Sequence, residues 1–301
     1  SLFDSAFLTL IFVACSSNLQ SKNELQPTAL MKHETKWLVE ALEKAHYSKV
    51  SIKNLDRDGF IDHYLQKLDN QKLYFINSEV EGFKKSYEPT LVTYFEQGNL
   101  FPGFEIYNSY KTNSLKRIKW AIEFLTEYPK LDSNRTYAPD RTELDWASSV
   151  EELDETWKNL ITFEFLNETL AKLDVNETLD DISDSNLTAA KQESQKVLLK
   201  RYSRWQKNLE EFEAGDVQEL YLTALTQMFD PHTTFMNLKE KEKFDQQMNN
   251  EFVGIGARLS DEDGYCTIKG LLPGGPAEAS RELETNDIIL KVAQSDGDFV
   301  D

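Results

Sequence analysis

Cysteine and histidine are scarce in this chain: Cys15 and Cys266 are its two cysteines, and His33, His46, His63 and His232 its four histidines, among 301 residues. Neither a disulfide framework nor a thiolate cluster can be built from so few, and no H-x-x-x-H pair supplies a zinc site. Positive charge is also short. Lys and Arg number 33 against 52 Asp and Glu, a net charge of −19. Such a surface repels phosphate backbones and anionic headgroups, so nucleic acid is excluded as a partner. What is present suffices for folding. Hydrophobic residues make up 40% of the chain, which excludes a disordered protein, and the length suits about two domains.

The first residues carry an address. Ala6 to Cys15 (AFLTLIFVAC) is an apolar run of ten, too short for a bilayer span of about 20 residues but of signal-peptide size. It ends in Val13-Ala14-Cys15 and passes into the polar Ser16-Ser17-Asn18, which resembles a bacterial lipoprotein signal with its lipobox. Cys15 is then the lipidated residue, and the membrane is met only through that anchor. Asp4 stands where a basic residue is usual and no Met opens the chain, so the sequence reads as clipped at its start. The alternative is a buried strand or helix end over Leu8 to Ala14. The expected organisation is a signal segment over 1–15, a polar tether over 16–29, a helical domain over 30–249 and a smaller module over 250–301.

The helical domain follows from periodicity. Apolar residues recur at helical spacing in Leu30, Trp37, Leu38, Ala41, Leu42, in Phe60, Ile61, Tyr64, Leu65, Leu68 and in Ile118, Ala121, Phe124, Leu125. The same period returns in Leu153, Trp157, Leu160, Ile161, in Leu198, Tyr202, Trp205, Leu209 and in Val217, Leu220, Tyr221, Ala224, Leu225, Met228. Roughly seven or eight helices are expected. Asp216 is placed to cap the helix beginning at Val217, Asp230-Pro231 to end it, and Asn237 with Glu240 to form a capping box. The acidic span Asp174 to Asn186 reads as a surface loop of solvated charge.

After Asn250 the character changes. Seven of the 12 glycines lie in the last 48 residues, while all five tryptophans lie upstream. Alternation over Phe252 to Leu259, then Tyr265-Cys266-Thr267-Ile268 and Ile288 to Val292, predicts short strands, with Cys266 a buried small hydrophobe. Leu272-Pro273-Gly274-Gly275-Pro276-Ala277 is a turn leading into a short helix through Arg281. The fold class expected is mainly α: a multi-helix N-terminal domain followed by a small, truncated α/β module.

Three stretches then stand together: Phe229-Asp230-Pro231-His232-Thr233, Val253-Gly254-Ile255-Gly256-Ala257, and Gly274-Gly275-Pro276-Ala277 followed by Asn286-Asp287-Ile288-Ile289. Their order resembles the tail-specific protease, or carboxy-terminal processing peptidase, family, in which helices lead into a PDZ domain. His46-Tyr47 and the Asp62-His63-Tyr64-Leu65 helix are similar too. The resemblance implies peptide-bond hydrolysis near substrate C-termini by a serine nucleophile and a lysine base, in a core downstream of the PDZ part. No residue here takes a catalytic role and no G-x-S-x-G elbow occurs. It also implies that Val253, Gly254, Ile255, Gly256 and Ala257 form the carboxylate-binding loop and following strand, with Ile255 lining the pocket for the last apolar side chain. The partners implied are C-terminal tails of substrate proteins and an adaptor protein, in the periplasmic side of a bacterial envelope, with no cofactor. The rival reading is a non-enzymatic adaptor lipoprotein that binds tails without cutting them. A frame running on past Asp301 into a core with Ser and Lys separates the two.

Other motifs weigh less. Asn54 to Leu65 has oxygens at the first, third and fifth positions and Gly59 at the sixth, as in an EF-hand, but Leu65 replaces the bidentate Glu at the twelfth. Asp58 reads there as a helix cap, and no metal site is expected. His232 beside Asp230 reads as a helix-ending turn. Sequons at Asn134, Asn167, Asn176 and Asn186 matter only in a glycosylating pathway, against which the lipoprotein signal argues.

Overall fold

The computed structural model describes residues 24–130, 136–173, 183–249, 254–262 and 265–293. Cys15 and Val253 therefore lie outside the described residues, as do Asn134 and Asn176. The chain divides into two compact units, Ser1–Asn237 and Leu238–Asp301.

The larger unit is helical. Its helices are α1 (Ala29–Lys44), α2 (Arg57–Asp69), α3 (Asn77–Tyr87), α4 (Leu91–Glu96), α5 (Phe101–Thr126), α6 (Val150–Leu170), α7 (Asp184–Glu210) and α8 (Ala214–Gln227). Side chains start them. Thr28 accepts from the Met31 amide at 3.3 Å, Asp56 from Gly59 at 3.1 Å, Ser149 from Glu152 at 3.3 Å and Ser183 from Asn186 at 3.2 Å, each satisfying an orphan first-turn donor. Helix α8 begins three residues earlier than expected. Asp216 sits inside its first turn and accepts from the Glu213 amide at 2.9 Å, closing the turn from within. The helix stops at Gln227, ahead of Asp230-Pro231. Helix α7 likewise takes over Asp184 to Asn186 from the expected acidic loop, because Ser183 caps it.

Two apolar clusters fill this unit. In the first, Phe60 meets Phe95 and Tyr221 edge-on at 5.3 Å, and Tyr64 meets Tyr221 at 4.9 Å, the geometry aromatic quadrupoles favour. Tyr64 Oη donates to the carbonyl of Gly103 at 3.0 Å. Gly103 is required by Tyr221: a Cβ there would lie 2.4 Å from the ring. The second cluster gathers Tyr74, Ile118, Leu125, Trp157, Phe165, Leu198 and Tyr202. Most expected core positions are buried, but Trp37 and Leu30 are not, at 70% and 66% exposed. Helix α1 turns Met31, Thr35, Val39 and Leu42 inward instead, a stripe in which a threonine and a methionine conceal the period from a hydrophobic count.

The smaller unit holds α9 (Leu238–Asn249), β1 (Ala257–Glu262), β2 (Tyr265–Leu271), α10 (Pro276–Ser280) and β3 (Ile288–Ile289). The sheet is antiparallel in the order β1-β2-β3, with an irregularity between Arg258 and Leu259. The first strand begins at Ala257 rather than Phe252, and Gly254 to Gly256 form a bend. Cys266 is a half-buried free thiol; Thr267 and Ile268 take the buried positions. The third strand stops at Ile289, leaving Leu290 and Val292 exposed.

Candidate functional site

The glycine bend of the smaller unit is stapled down through its carbonyls. The carbonyl of Ile255 accepts from the Ala277 amide at 2.7 Å and that of Gly256 from the Leu272 amide at 2.8 Å. Gly256 has φ of +75°, and a Cβ on it would meet the Cα of Gly275 at 2.9 Å. Conformation and close approach therefore both demand glycine there. Gly254 has open space where a Cβ would go, so sterics within this unit do not require it. Gly274 N–H donates to Glu278 at 2.7 Å, which folds the turn onto the start of α10.

The amides of the bend are differently placed. Among the described residues, those of Gly254, Ile255 and Gly256 donate to no acceptor. Ile255 is half exposed. Ala257 opens β1, an edge strand whose inner side is taken by β2. Among the described residues, donors without acceptors thus lead into a strand edge without a partner, and an extended chain with a terminal carboxylate can satisfy both.

The other sequence candidates resolve into structural roles. In the EF-hand-like stretch the cap is Asp56 and not Asp58, because Asp56 is the residue that reaches the Gly59 amide. Asp58 and Asp62 instead hold Lys84 at 2.9 and 2.7 Å. Lys84 is pushed up to about 12: burial opposes its charge, and the Asp62 and Asp58 carboxylates outweigh that. His232 is exposed and lies 3.3 Å from Asp230. Asp230 also accepts from the Thr233 hydroxyl at 3.0 Å, and Thr233 lies 3.1 Å from His46 Nε2, whose Nδ1 is 2.7 Å from Ser48. This chain of hydrogen bonds ties the end of α1 to the turn after α8.

Asp69 carries no sequence signal, yet its environment is unusual. It is buried and accepts from the amides of Leu73, Tyr74 and Phe75 at 2.7, 2.8 and 3.2 Å. Burial raises it to about 6 against the lowering effect of those amides and Arg141. Its work is to fold the α2–α3 connection, where the Trp157 indole N–H also reaches the Leu73 carbonyl.

The family model of the tail specific protease N-terminal domain matches residues 38–239. The chain belongs to this family. The match spans the helical unit from within α1 to the start of α9, and it ends before the sheet. A tail-specific protease of Haemophilus influenzae is 27% identical over 267 residues, covering 89% of this chain and 36% of that protein. The carboxy-terminal processing protease CtpA of Bacillus subtilis is 35% identical over 63 residues, 21% of this chain and 13% of that protein. A Staphylococcus haemolyticus protein named "Probable CtpA-like serine protease" is 28% identical over 80 residues, 26% of this chain. The chain thus spans about a third of the length of its Haemophilus relative. It is the N-terminal region of a protease family, mainly helical and followed by a small antiparallel sheet.

Proposed function

We propose that this chain is the substrate-recognising N-terminal part of a serine-type endopeptidase that cleaves proteins near their C-termini. The smaller unit acts as a PDZ domain, and Val253, Gly254, Ile255, Gly256 and Ala257 take the carboxylate and last residues of a protein tail. The observation that carries this reading is that, among the described residues, the bend amides have no acceptor and run into an edge of β1 that has no partner. An added strand pairs along Ala257 and beyond, and the half-exposed Ile255 meets its final apolar side chain. Hydrolysis, by Ser and Lys in this proposal, is assigned to the parent protein; the relatives' names support a protease, and one of them a serine protease.

Peptide titration tests the recognition step. A peptide ending in an apolar residue with a free carboxylate should bind at least tenfold more tightly than its C-terminal amide, since the charge-assisted bonds to the bend amides are lost with the carboxylate. Equal affinity for the two would overturn the reading. Cys15 is proposed as the lipid-bearing residue that holds the protein at the periplasmic side of the envelope. Palmitate should label the protein in a bacterial host and fail to label Cys15→Ser; label that persists in the variant defeats that placement.

A further inference from the structure

Helix α7 gathers the positive charge that the chain as a whole is short of. From Lys191 to Lys207 it holds six basic residues and one acid, Glu193, in a sequence where acids outnumber bases 52 to 33. The helix buries Ala190, Ser194, Leu198, Tyr202 and Leu209. Lys196, Lys200, Arg204 and Lys207 follow one another at four, four and three residues on the opposite side, and all four are exposed. They form a ridge about 16 Å long at 1.5 Å per residue, with its charges about 6 Å apart.

The neighbouring helices define its width. On the α6 side Glu164 and Glu168 hold Arg201 at 3.9 and 3.4 Å, and Glu168 also lies 3.4 Å from Lys172, so a band of carboxylates borders the ridge. On the other side α5 runs antiparallel to α7: the Gln195 amide donates to the Leu125 carbonyl at 2.8 Å, and the charge of Glu210 reaches Lys111. Between those two ties α5 exposes Lys116 and Lys119, with Glu123 the single acid of the stretch. At the end of the ridge Lys207 lies 3.7 Å from Glu211, both side chains more than 60% exposed, a pair weak enough for a competing carboxylate to displace.

We propose that the α7 ridge docks a short acidic segment of a partner protein, whose carboxylates pair with Lys196, Lys200, Arg204 and Lys207. Charge complementarity sets the sign of the partner, and the dimensions of the ridge set its kind. A lipid surface is a plane of charge, and laying it on α7 brings it within a Debye length, about 8 Å, of the carboxylates on α6. A nucleic acid strand carries its charge on past the ridge into a surface of net −19. An acidic segment of about five extended residues, or about three turns of helix, ends where the ridge ends. Each exposed ion pair contributes little alone, so recognition depends on the row acting together and on the faster encounter that its field provides. The ridge belongs to the helical unit and does not rest on the reading given for the glycine bend.

The probe is a fluorescein-labelled octaglutamate peptide added to the full chain and followed by anisotropy. It should bind, with affinity falling at least tenfold as salt rises from about 50 to about 500 mM. Lys196→Glu combined with Arg204→Glu should weaken binding at least tenfold, whereas Lys32→Glu combined with Lys85→Glu, the same change in net charge on α1 and α3, should leave it within about twofold. On the unaltered chain, saturating peptide should shield Lys196 from acetylation by acetic anhydride, a readout that needs no variant to fold. Absence of binding, an unshielded Lys196, or equal losses in the two double variants overturns the proposal. Ridge-dependent binding of phosphatidylglycerol vesicles with no affinity for the peptide would overturn the assignment to a protein segment, and self-association abolished by the ridge variant would overturn the assignment to a separate partner.

Discussion

Gly275 stands so close to Gly256 that its Cα would lie 2.9 Å from a Cβ on the latter, with Gly256 at φ +75°. The two glycines let the bend before β1 and the turn before α10 touch backbone to backbone, and the Ile255–Ala277 hydrogen bond closes over that contact. Gly256→Ala should therefore suffer twice, from a left-handed backbone at about 1–2 kcal/mol and from the displaced turn. Gly254→Ala has open space and no positive φ to oppose it. Thermal melts of the two variants should differ, with Gly256→Ala the lower; equal melting temperatures would contradict the account.

Asp69 gives the helical unit an unusual pH response. Burial lifts its pKa to about 6, whereas an unfolded chain titrates it near 3.9, about the model-peptide value. Between about pH 4 and 6 the folded state holds a proton that the unfolded state has released. The contribution of this group is therefore full below about pH 4 and lost as pH rises through about 6. The stability of the unaltered chain relative to Asp69→Asn should fall by on the order of 2 kcal/mol from pH 4 to pH 7. Urea midpoints at several pH values read the difference; a flat or rising trend would count against a buried carboxyl.

Gly103 offers a sharper steric test, because alanine normally gains about 1 kcal/mol over glycine within a helix. Here the added methyl meets the Tyr221 ring at 2.4 Å, and that ring is itself wedged against Phe60, Tyr64 and Phe95. Overpacking of this kind costs about 1–3 kcal/mol. The net cost of up to about 2 kcal/mol should lower the melting temperature by up to about 8 °C, at about 2–4 °C per kcal/mol for a unit of this size; a rise would show that the core can give way.

The helical unit was largely legible because burial on one face leaves a 3.6-residue period in the sequence. Leu153, Trp157 and Ile161, or Val217, Tyr221 and Leu225, are buried as that period requires. Helix α1 misled because Thr35 fills an inward position by bonding its hydroxyl to the Met31 carbonyl at 2.8 Å, while Trp37 faces outward. Hydropathy cannot see a threonine satisfied by its own helix. The Gly274 to Ala277 turn was readable from residue type, since proline opens α10. The start of β1 was not, because alternation continues through a bend whose shape is set by Gly275, far away in sequence. Asp69 gave no signal at all: it acts on backbone amides of the connection that follows its own helix, and a backbone partner leaves no trace in residue identity.

Helix α5 feeds both apolar clusters, Phe104, Ile106 and Tyr107 into one and Ile118, Ala121 and Leu125 into the other. Its 26 residues run about 39 Å at 1.5 Å each, a single beam mortised into two blocks. Loosening one block therefore removes part of the footing on which the helix holds the other, and the two are joined by covalent backbone as well as by packing.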